Sequence, residues 1–432
     1  MTAEVVILNR EAVAMAADSA ATVSDKTGQK IFSSANKIFA LSKHNPVGIM
    51  IFGSALFIGV PWETIIKIYR KKLGETRFNS LKEYAQDFIE FLKGNSKMFP
   101  VSEQEKYIKG CIYSFYNKLK KEIINIIKSR IDKKGSLTEK EIKLEIEKYI
   151  IKVYSIWKKG SCNIDNPDTF RDSFLTKYDS TINEAINKVF EKLPLSEKTI
   201  LSIRNIASYL FTSFPEDIVY SGVSGVVISG FGEDEIFPSV VSYLIEGIAN
   251  DVLKYIEQDH SKVDYENSAI IIPYAQQEMV RTFIDGISPM FDNLFNQLLK
   301  DTVENYPKII LENVVPALDT NQKNELLKKI KTISLENLDK GLEKVNDIQR
   351  GHFVDPILKV VTFLPKNELA EMAESLVNLT CLRKKISMDE ETVGGPIDVA
   401  VISKGDGLIW IKRKHYFSPE LNRQFFVNYL NK

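Results

Sequence analysis

Thr2 is the residue whose position offers the clearest chemistry, because it directly follows Met1. A threonine hydroxyl is a weak nucleophile until a base removes its proton. A free α-amine has a reference pKa of about 7.7–8.0, so near pH 7 a sizeable neutral fraction can act as that base. Only the first residue of a mature chain carries both groups on one carbon framework. We therefore expect that removal of Met1 turns Thr2 into a nucleophile with its own base.

Cysteine and histidine offer no competing chemistry. The three cysteines are far apart and odd in number, which fits neither a disulfide framework nor a zinc motif. The histidines are equally scattered. These residues are Cys111, Cys162 and Cys381, and His44, His260, His352 and His415. We expect a reduced protein without a metal or a cofactor.

The charge balance excludes some partners. The 432 residues contain 57 Lys plus Arg and 57 Asp plus Glu, so the formal net charge is zero. A neutral chain gives no global reason to expect a nucleic acid or an anionic membrane as partner. One uncharged run, residues 45–62, is broken by glycines and prolines and is too short to span a bilayer. We expect a soluble cytoplasmic protein.

The first sixty residues have the texture of β-strands. Short apolar runs at Val5–Leu8 and Ala12–Ala17 predict one hairpin, and Ile38–Leu41 and Val47–Phe52 predict a second pair. The runs are continuously apolar rather than alternating, which is typical of sheets covered on both faces.

Helical and β segments then alternate. Residues 63–214 have apolar residues at helical spacing, with predicted capping boxes at Thr138–Glu141 and Thr181–Glu184. A second helical region follows from Gln276 to about Arg383, and Pro365 should end a helix near Leu364. The predicted later strands are Val223–Ile228, Val240–Ile245, Ala269–Ile272, and the hairpin of Val399–Ile402 with Leu408–Ile411.

The order β, helices, β, helices, β predicts the fold class. Helices must cover the outer face of each sheet, so two sheets with helices outside them make a four-layer sandwich. We expect an α+β protein with a large all-helical insertion.

Several segments together resemble the β subunits of proteasomes, in their bacterial proteasome-like branch. These segments are Thr2–Ile7, Ala12–Thr22 with its Asp18-Ser-Ala-Ala-Thr stretch, Asn36–Leu41 with Lys37-Ile38, Phe52–Ala55, and Gly394–Gly395 before residues 398–402. Similarity extends over residues 2–95 and 215–417. The resemblance implies an N-terminal-nucleophile (Ntn) hydrolase with the αββα sandwich of that class.

The resemblance also implies the catalytic residues Thr2, Asp18 and Lys37. A lysine beside the threonine would lower the pKa of the amine and keep it unprotonated. Asp18 would orient and stabilise that lysine, as the third group of a triad does. Lys37 requires a small insertion in the preceding loop relative to the family, and Lys30 is a rival for the same role.

Substrate contacts follow from the same resemblance. The backbone N–H of Gly53 would donate to the oxyanion, since glycine lets the backbone approach a ligand closely. Thr22 and Gly53 would pair with an extended peptide by β-addition. Ala21, Ile51 and Ala55 match pocket positions and are apolar, so we expect an apolar side chain before the cut.

Two features depart from the family. The residues that support the threonine are replaced, because the aligned positions are Glu390, Val393 and Gln276. Residues 63–214 fall where the family has two short helices. They would block ring stacking, form a lid or bind a different partner such as an ATPase, or they are a solvated helical insertion with a small core of its own. The expected domains are a discontinuous core of 2–62 and 215–417, the insertion of 63–214, whose first helix belongs with the core, and a tail of 418–432.

The predicted function is a threonine-type peptidase or amidohydrolase that forms a homo-oligomer and acts on a peptide or protein. A non-catalytic assembly or scaffold protein is the alternative from another class. Hydrolysis of a small amide stays open as a third possibility, because fold does not exclude it.

Overall fold

The computed structural model of the protein describes residues 2–25, 28–95, 97–215, 222–313, 319–387 and 393–430. The strands in chain order are β1 (Ala3–Asn9), β2 (Ala12–Ala17), β3 (Ala21–Asp25), β4 (Gly28–Phe32), β5 (Ile38–Ala40), β6 (Val47–Gly53), β7 (Leu56–Phe57), β8 (Val60–Pro61), β9 (Ser224–Gly230), β10 (Ser239–Ala249), β11 (Val252–Lys262), β12 (Ala269–Ala275), β13 (Asp398–Ser403) and β14 (Gly407–Lys412).

The helices begin directly after β8; all but the last lie in the two long gaps between strands, and the last follows β14. They are α1 (Trp62–Leu73), α2 (Leu81–Lys93), α3 (Val101–Lys134), α4 (Glu139–Lys159), α5 (Pro167–Lys177), α6 (Asp179–Phe190), α7 (Glu197–Tyr209), α8 (Glu278–Asp285), α9 (Pro289–Asn313), α10 (Thr320–Gln349), α11 (Asp355–Thr362), α12 (Lys366–Ile386) and α13 (Arg423–Leu430).

Two five-stranded antiparallel sheets form the centre of the molecule. The first sheet has the order β12-β1-β2-β13-β14, and the second has the order β11-β10-β9-β6-β5. The predicted pairs β1–β2, β5–β6 and β13–β14 are all confirmed as antiparallel neighbours. The protein is therefore α+β, with antiparallel sheets.

Strand β1 shows how each sheet obtains two covered faces. Its side chains alternate between the faces, so Val6 and Leu8 pack with Met50 in the layer between the sheets. Val5 and Ile7 pack instead among residues of the helices on the other face. This double burial explains why the strand is apolar at successive positions.

Helices cover both outer faces. Leu369 and Ala373 of α12 pack against the first sheet, with α8 and α11 beside them. Ile66 of α1 and Phe88 of α2 pack against Ile49 on the second sheet. The described residues are thus arranged in four layers: helices, sheet, sheet, helices.

Helices α3 to α7 surround a hydrophobic cluster of their own, which includes Tyr116, Trp157 and Phe174. Helices α1 and α2 belong instead to the cluster on the second sheet. The capping box at Thr138 is confirmed at the start of α4. The box predicted at Thr181 is wrong, because α6 begins two residues earlier, at Asp179.

Helices α9 and α10 form a long hairpin that buries little. In α9 the buried residues are Pro307 and Leu311, and within the described part of α10 none is buried. The predicted break at Pro365 is confirmed, because α11 ends at Thr362 and Pro365 precedes α12.

Within the described ranges, no helix is long and apolar enough to cross a membrane. The same residues contain no group of three or more His, Cys, Asp or Glu side chains that could hold a metal ion.

Candidate active site

A lysine joins the threonine to an aspartate at one end of the two sheets. The Nζ atom of Lys37 donates to Thr2 Oγ1 at 3.1 Å and to Asp18 Oδ1 at 2.6 Å. Thr2 and Lys37 are each 6% exposed and Asp18 is 1% exposed. Electrostatic interactions are much stronger in such a water-poor site than in bulk water. The structure therefore brings together three residues that are distant in the sequence.

Each oxygen of the Asp18 carboxylate accepts two hydrogen bonds. Its Oδ1 accepts from Lys37 and from the backbone N–H of Ala3 at 3.0 Å. Its Oδ2 accepts from the backbone N–H of Ala20 at 3.1 Å and of Gly394 at 2.9 Å. A carboxylate has about four lone-pair sites. Asp18 is therefore fixed in orientation and can in turn fix the ammonium group of Lys37.

The backbone around Thr2 is equally constrained. The N–H of Gln276 donates to the Thr2 carbonyl at 3.1 Å, and the N–H of Asp18 donates to the Ala3 carbonyl at 3.1 Å. The carbonyl and the hydroxyl of Thr2 thus both have partners, and so does the N–H of the next residue. The α-nitrogen of Thr2 is the group that would become a free amine if the bond to Met1 were cut.

Strand pairing explains how the three residues meet. Thr2 precedes β1 and Asp18 follows β2, and these strands are antiparallel neighbours with Glu4 opposite Ala17. Lys37 precedes β5 in the other sheet, where its carbonyl accepts from the N–H of Ile51 at 2.9 Å. The lysine therefore reaches Thr2 across the layer between the sheets.

Lys30, the rival of Lys37, lies elsewhere. It is on β4, and its Nζ atom stands over the ring of Phe32, 5.1 Å from the ring centroid. Lys37 alone of the two donates to Thr2 and Asp18 in the described contacts.

Gly53 ends β6 in a conformation that requires glycine. Its φ angle is +81°, and a Cβ atom there would lie 2.4 Å from the carbonyl oxygen of Val223. The turn that follows is held by Ser224, whose hydroxyl donates to the Ser54 carbonyl at 3.0 Å and accepts from Trp62 Nε1 at 2.8 Å. This segment is therefore rigid enough to present its backbone to a ligand.

The other predicted substrate residues lie on flanking segments. Ala21 and Thr22 are on β3 and pair with Phe32 and Ile31 of β4. Ala55 is exposed in the turn after Gly53. In the described hydrogen bonds, none of these residues nor Gly53 is joined to Thr2, so their roles remain predictions.

Glu4 is a site residue that the sequence reasoning overlooked. It is 1% exposed, and neither of its carboxyl oxygens has a hydrogen-bond partner among the described residues. Burial raises the pKa of Glu4 well above its usual range; the charge of Lys37 opposes this shift and that of Asp18 adds to it. The sequence signal was a single carboxyl in an otherwise apolar strand. Burial thus favours the neutral form of Glu4, which lies beside the charged pair.

Two of the three positions that depart from the family, Val393 and Gln276, lie within the described residues. Val393 is buried among apolar residues of the first sheet and its helices. Its neighbour Gly394 supplies the N–H that binds Asp18. Gln276 contributes its backbone to Thr2. Glu390 lies outside the described residues.

Comparisons with known proteins give little. No family model matches the chain, and no curated protein matches it. Among solved structures, the chain is similar to an Anbu (Gly-1) mutant from Hyphomicrobium sp. strain MC1, with 7% identity and a TM-score of 0.26 over 100% of this chain and 96% of that one. It is also similar to Anbu (ancestral beta-subunit) from Yersinia bercovieri, with 8% identity and a TM-score of 0.25 over 99% and 95%. At these values the likeness supports no conclusion on fold or function.

The assignment to the proteasome β family is therefore wrong. It was drawn from short segments around Thr2, Asp18 and Lys37, and these segments are matched by no family model and by no curated protein. Short strands and turns of common composition recur in unrelated chains, which is why such segments misassign a family. The chemistry of the site has to be judged on its own geometry.

Proposed function

We propose that this protein is a threonine-type hydrolase of amide bonds, with Thr2 as its nucleophile after Met1 is removed. The observation that carries the proposal is the hydrogen bond from Lys37 Nζ to Thr2 Oγ1, made by a lysine that is also paired with the buried Asp18. A cation directed at a hydroxyl stabilises the negative charge that this oxygen gains when it loses its proton.

The proposed reaction has two halves. The free amine of Thr2 takes the hydroxyl proton while Oγ1 attacks the carbonyl carbon of the substrate. The N–H of Gly53 donates to the resulting oxyanion, and the proton held by the amine passes to the departing nitrogen. An ester between Thr2 and the acyl group remains. Water, deprotonated by the same amine, then attacks the ester and releases an acid and the free threonine.

Lys37 and Asp18 have separate roles in this scheme. The positive charge of Lys37 lowers the pKa of the nearby amine, so that more of it is neutral at pH 7. Asp18 holds the lysine in place with its remaining three hydrogen bonds directed at backbone N–H groups. Lys37 is the charged group at the nucleophile, and Asp18 acts through it.

Substrate binding is proposed on the segments after β2 and β6. Thr22 and Gly53 would pair with an extended peptide, and Ala21, Ile51 and Ala55 would line a pocket for an apolar side chain. Peptides are the first substrates to test, with small amides as the second class.

The test compares substrate turnover by two variants from which Met1 should be removed equally well. Thr2→Ala and Thr2→Ser both leave a small residue after Met1, so removal of Met1 is matched between them. We expect Thr2→Ser to retain measurable hydrolysis and Thr2→Ala to lose it. Equal turnover of any cleaved substrate by Thr2→Ala and the unaltered protein would overturn the proposal.

The wider organisation is part of the same proposal. We assign the four layers to the αββα sandwich of Ntn hydrolases, with a core of 2–62 and 215–417, a helical insertion of 63–214 and a tail of 418–432. We also propose a cytoplasmic homo-oligomer. Sedimentation of the purified protein tests the oligomer, because a single species of 49.2 kDa would exclude it.

One observation favours the alternative of an assembly protein. The hairpin of α9 and α10 exposes large apolar side chains along its length, including Met290, Phe291, Leu298 and Ile333. Exposed apolar patches mark interaction surfaces. A purified native chain that retains Met1 would favour this role, because the amine base would then be absent.

A further inference from the structure

A cavity of about 490 Å³ opens beside the Asp18 carboxylate, between the C-terminal end of α12 and the β3–β4 hairpin. Its walls are mixed: Ala20, Ile31, Leu382 and Val393 supply apolar side chains, and Ser33, Asn378 and Lys385 supply polar ones. The volume falls in the range of pockets that bind small ligands, about 300–1,000 Å³. None of Ala21, Thr22, Gly53 and Ala55, the residues proposed to bind substrate, lines this cavity.

Backbone hydrogen bonds connect the cavity directly to the site. Two of its lining residues, Ala20 and Gly394, donate their N–H groups to Asp18 Oδ2, while Oδ1 of the same carboxylate binds Lys37. The cavity is therefore joined to the lysine through these two backbone N–H groups and one carboxylate group. Gly394 adds room, because a Cβ atom at that position would meet nothing within 4 Å.

The charge of the lining is one-sided. Lys385 is the charged residue of the lining, which contains no carboxylate in the described part of the chain. Lys385 is exposed and forms no ion pair with a described residue. Arg383 and Lys384 lie in the same last turn of α12. Asp18 does not oppose an anion here, because its charge is paired with Lys37.

We propose that this cavity is a substrate subsite for a side chain with an apolar stem and a terminal carboxylate, as in glutamate, next to the bond that is cleaved. This proposal rests on the proposed function, because it places the cavity next to the bond that is hydrolysed. The apolar walls take the methylene groups, and Lys385 at the rim attracts the carboxylate.

The contrasting explanation is that the basic turn only offsets the partial negative charge at the end of α12. Cations at a helix C-terminus stabilise the helix in this way. In that case the cavity would bind substrates without regard to their charge, and occupancy of the cavity would not depend on a carboxylate.

Cys381 provides a reporter inside the cavity. Burial raises the pKa of its thiol to about 11, with a further contribution from Asp18, so the residue lies within electrostatic range of the site. Cys162 is exposed in the helical block and serves as an internal control. A neutral methanethiosulfonate reagent and peptide mass mapping would follow the two thiols in one sample.

The first experiment measures protection without turnover. The full-length Thr2→Ala protein is incubated with blocked tetrapeptides in which one position at a time is Glu, Gln or Lys. We expect a Glu peptide to slow labelling of Cys381 several-fold more than its Gln and Lys counterparts, with labelling of Cys162 unchanged. Equal protection by all three peptides, or no protection at any position, would overturn the proposal.

The second experiment alters the charge at the rim. Lys385→Met should remove the preference for Glu over Gln, and Lys385→Glu should shift it toward Lys. Lys344→Met, an exposed lysine of α10, is the matched control and should leave the preference unchanged. We expect a preference of about fivefold at low salt, because exposed ion pairs contribute at most about 1 kcal/mol, and a smaller one at high salt. A preference that Lys385→Glu leaves unchanged contradicts the subsite.

The two proposals fail in different ways. If the unaltered protein cleaves nothing but Cys381 is protected by Glu peptides, the cavity is a ligand site and the proposed hydrolysis is wrong. If the protein cleaves peptides with no dependence on Lys385 or on a carboxylate, the hydrolysis stands and the subsite is wrong.

Discussion

Two buried lysines, Lys37 and Lys254, occupy opposite sides of the second sheet and serve different ends. Each is paired with a carboxylate: Lys37 with Asp18, and Lys254 with Glu246. Lys254 directs another donor at the carbonyl of Leu210, at 2.7 Å, and its Nζ atom lies 4.5 Å from the ring centroid of Phe214. It thereby ties the helical block to the β10–β11 hairpin. Lys37 instead directs a donor at the hydroxyl of Thr2.

The difference shows what distinguishes a functional buried pair from a structural one. A buried ion pair gains little stability by itself, because removing both charges from water costs as much as their attraction returns. The ammonium group of Lys254 also contacts a carbonyl and an aromatic ring of the helical block. Around Lys37, the partner is a side chain that could act as a nucleophile, so its charge is available for chemistry.

The largest expected effect is on turnover. Lys37→Met should lower the kcat of its folded fraction by about 10²–10³, the usual cost of losing one group that stabilises developing charge. Lys254→Met is the matched control, and its folded fraction should keep the kcat of the unaltered protein. Steady-state kinetics on both variants checks this. Equal kcat for Lys37→Met and the unaltered protein would show that Lys37 has no catalytic role that distinguishes it from Lys254.

The next expected effect is a loss of stability in Lys254→Met. Lys254→Met leaves the Glu246 carboxylate without its cation and should lower the free energy of unfolding by about 3–5 kcal/mol. Urea denaturation followed by circular dichroism measures the change. The double variant Lys254→Met with Glu246→Gln should recover part of the loss, since no uncompensated charge remains. A single variant as stable as the unaltered protein would refute the structural role.

Glu4 sharpens the comparison, because it is a third buried ionisable group and its carboxyl has no hydrogen-bond partner among the described residues. An unfolded glutamate ionises near pH 4.3, whereas burial raises the pKa of Glu4 in the folded chain well above its usual range. Above that pH the folded state binds more protons than the unfolded state, so the free energy of unfolding falls as pH rises. The slope is at most about 1.4 kcal/mol per pH unit and ends once the raised folded pKa is passed.

Glu4→Gln tests this dependence. The glutamine cannot ionise, so its free energy of unfolding should lack the decrease that the unaltered protein shows above pH 4.3. Denaturation curves of both proteins at several pH values give the difference in slope, which is insensitive to any constant cost of burying the amide. Parallel pH dependences in the two proteins would mean that Glu4 is not a neutral acid.

The smallest expected effect concerns the rival lysine. Lys30→Met should change kcat by no more than about twofold, because an exposed charge over an aromatic ring contributes only about 0.5–1 kcal/mol locally. The same assay as for Lys37→Met measures it. A loss comparable to that of Lys37→Met would return the catalytic role to Lys30.

The sequence was most informative where strands are apolar on both faces. β1, β2 and β6 were predicted because continuous burial leaves a continuous apolar run. β11 was missed because it is an edge strand whose second half, Glu257–Lys262, consists of polar residues that are exposed or half-buried. The hairpin of β3 and β4 was missed for a similar reason, since Lys30, Ile31 and Phe32 are exposed and Gly28–Phe32 contains few apolar residues.

The candidate site was predictable only in part. Lys37 and Lys30 could not be separated from the sequence, because the choice depends on a contact across two sheets. The cavity beside Asp18 could not be predicted either, since the β3–β4 hairpin on one side of it is hundreds of residues away from α12 and Gly394 on the other. Glu4 was visible as a carboxyl in an apolar strand, and its significance depends on burial that only the fold determines.

The central claim is that Thr2 becomes an N-terminal nucleophile, and intact mass of the untagged protein tests it most directly. The protein is weighed before and after incubation with a peptide epoxyketone, which forms its stable adduct with a hydroxyl and a free α-amine on one residue. The account predicts loss of Met1 and addition of one inhibitor, with no adduct on Thr2→Ala. Retained Met1 and no adduct on the unaltered protein would contradict it.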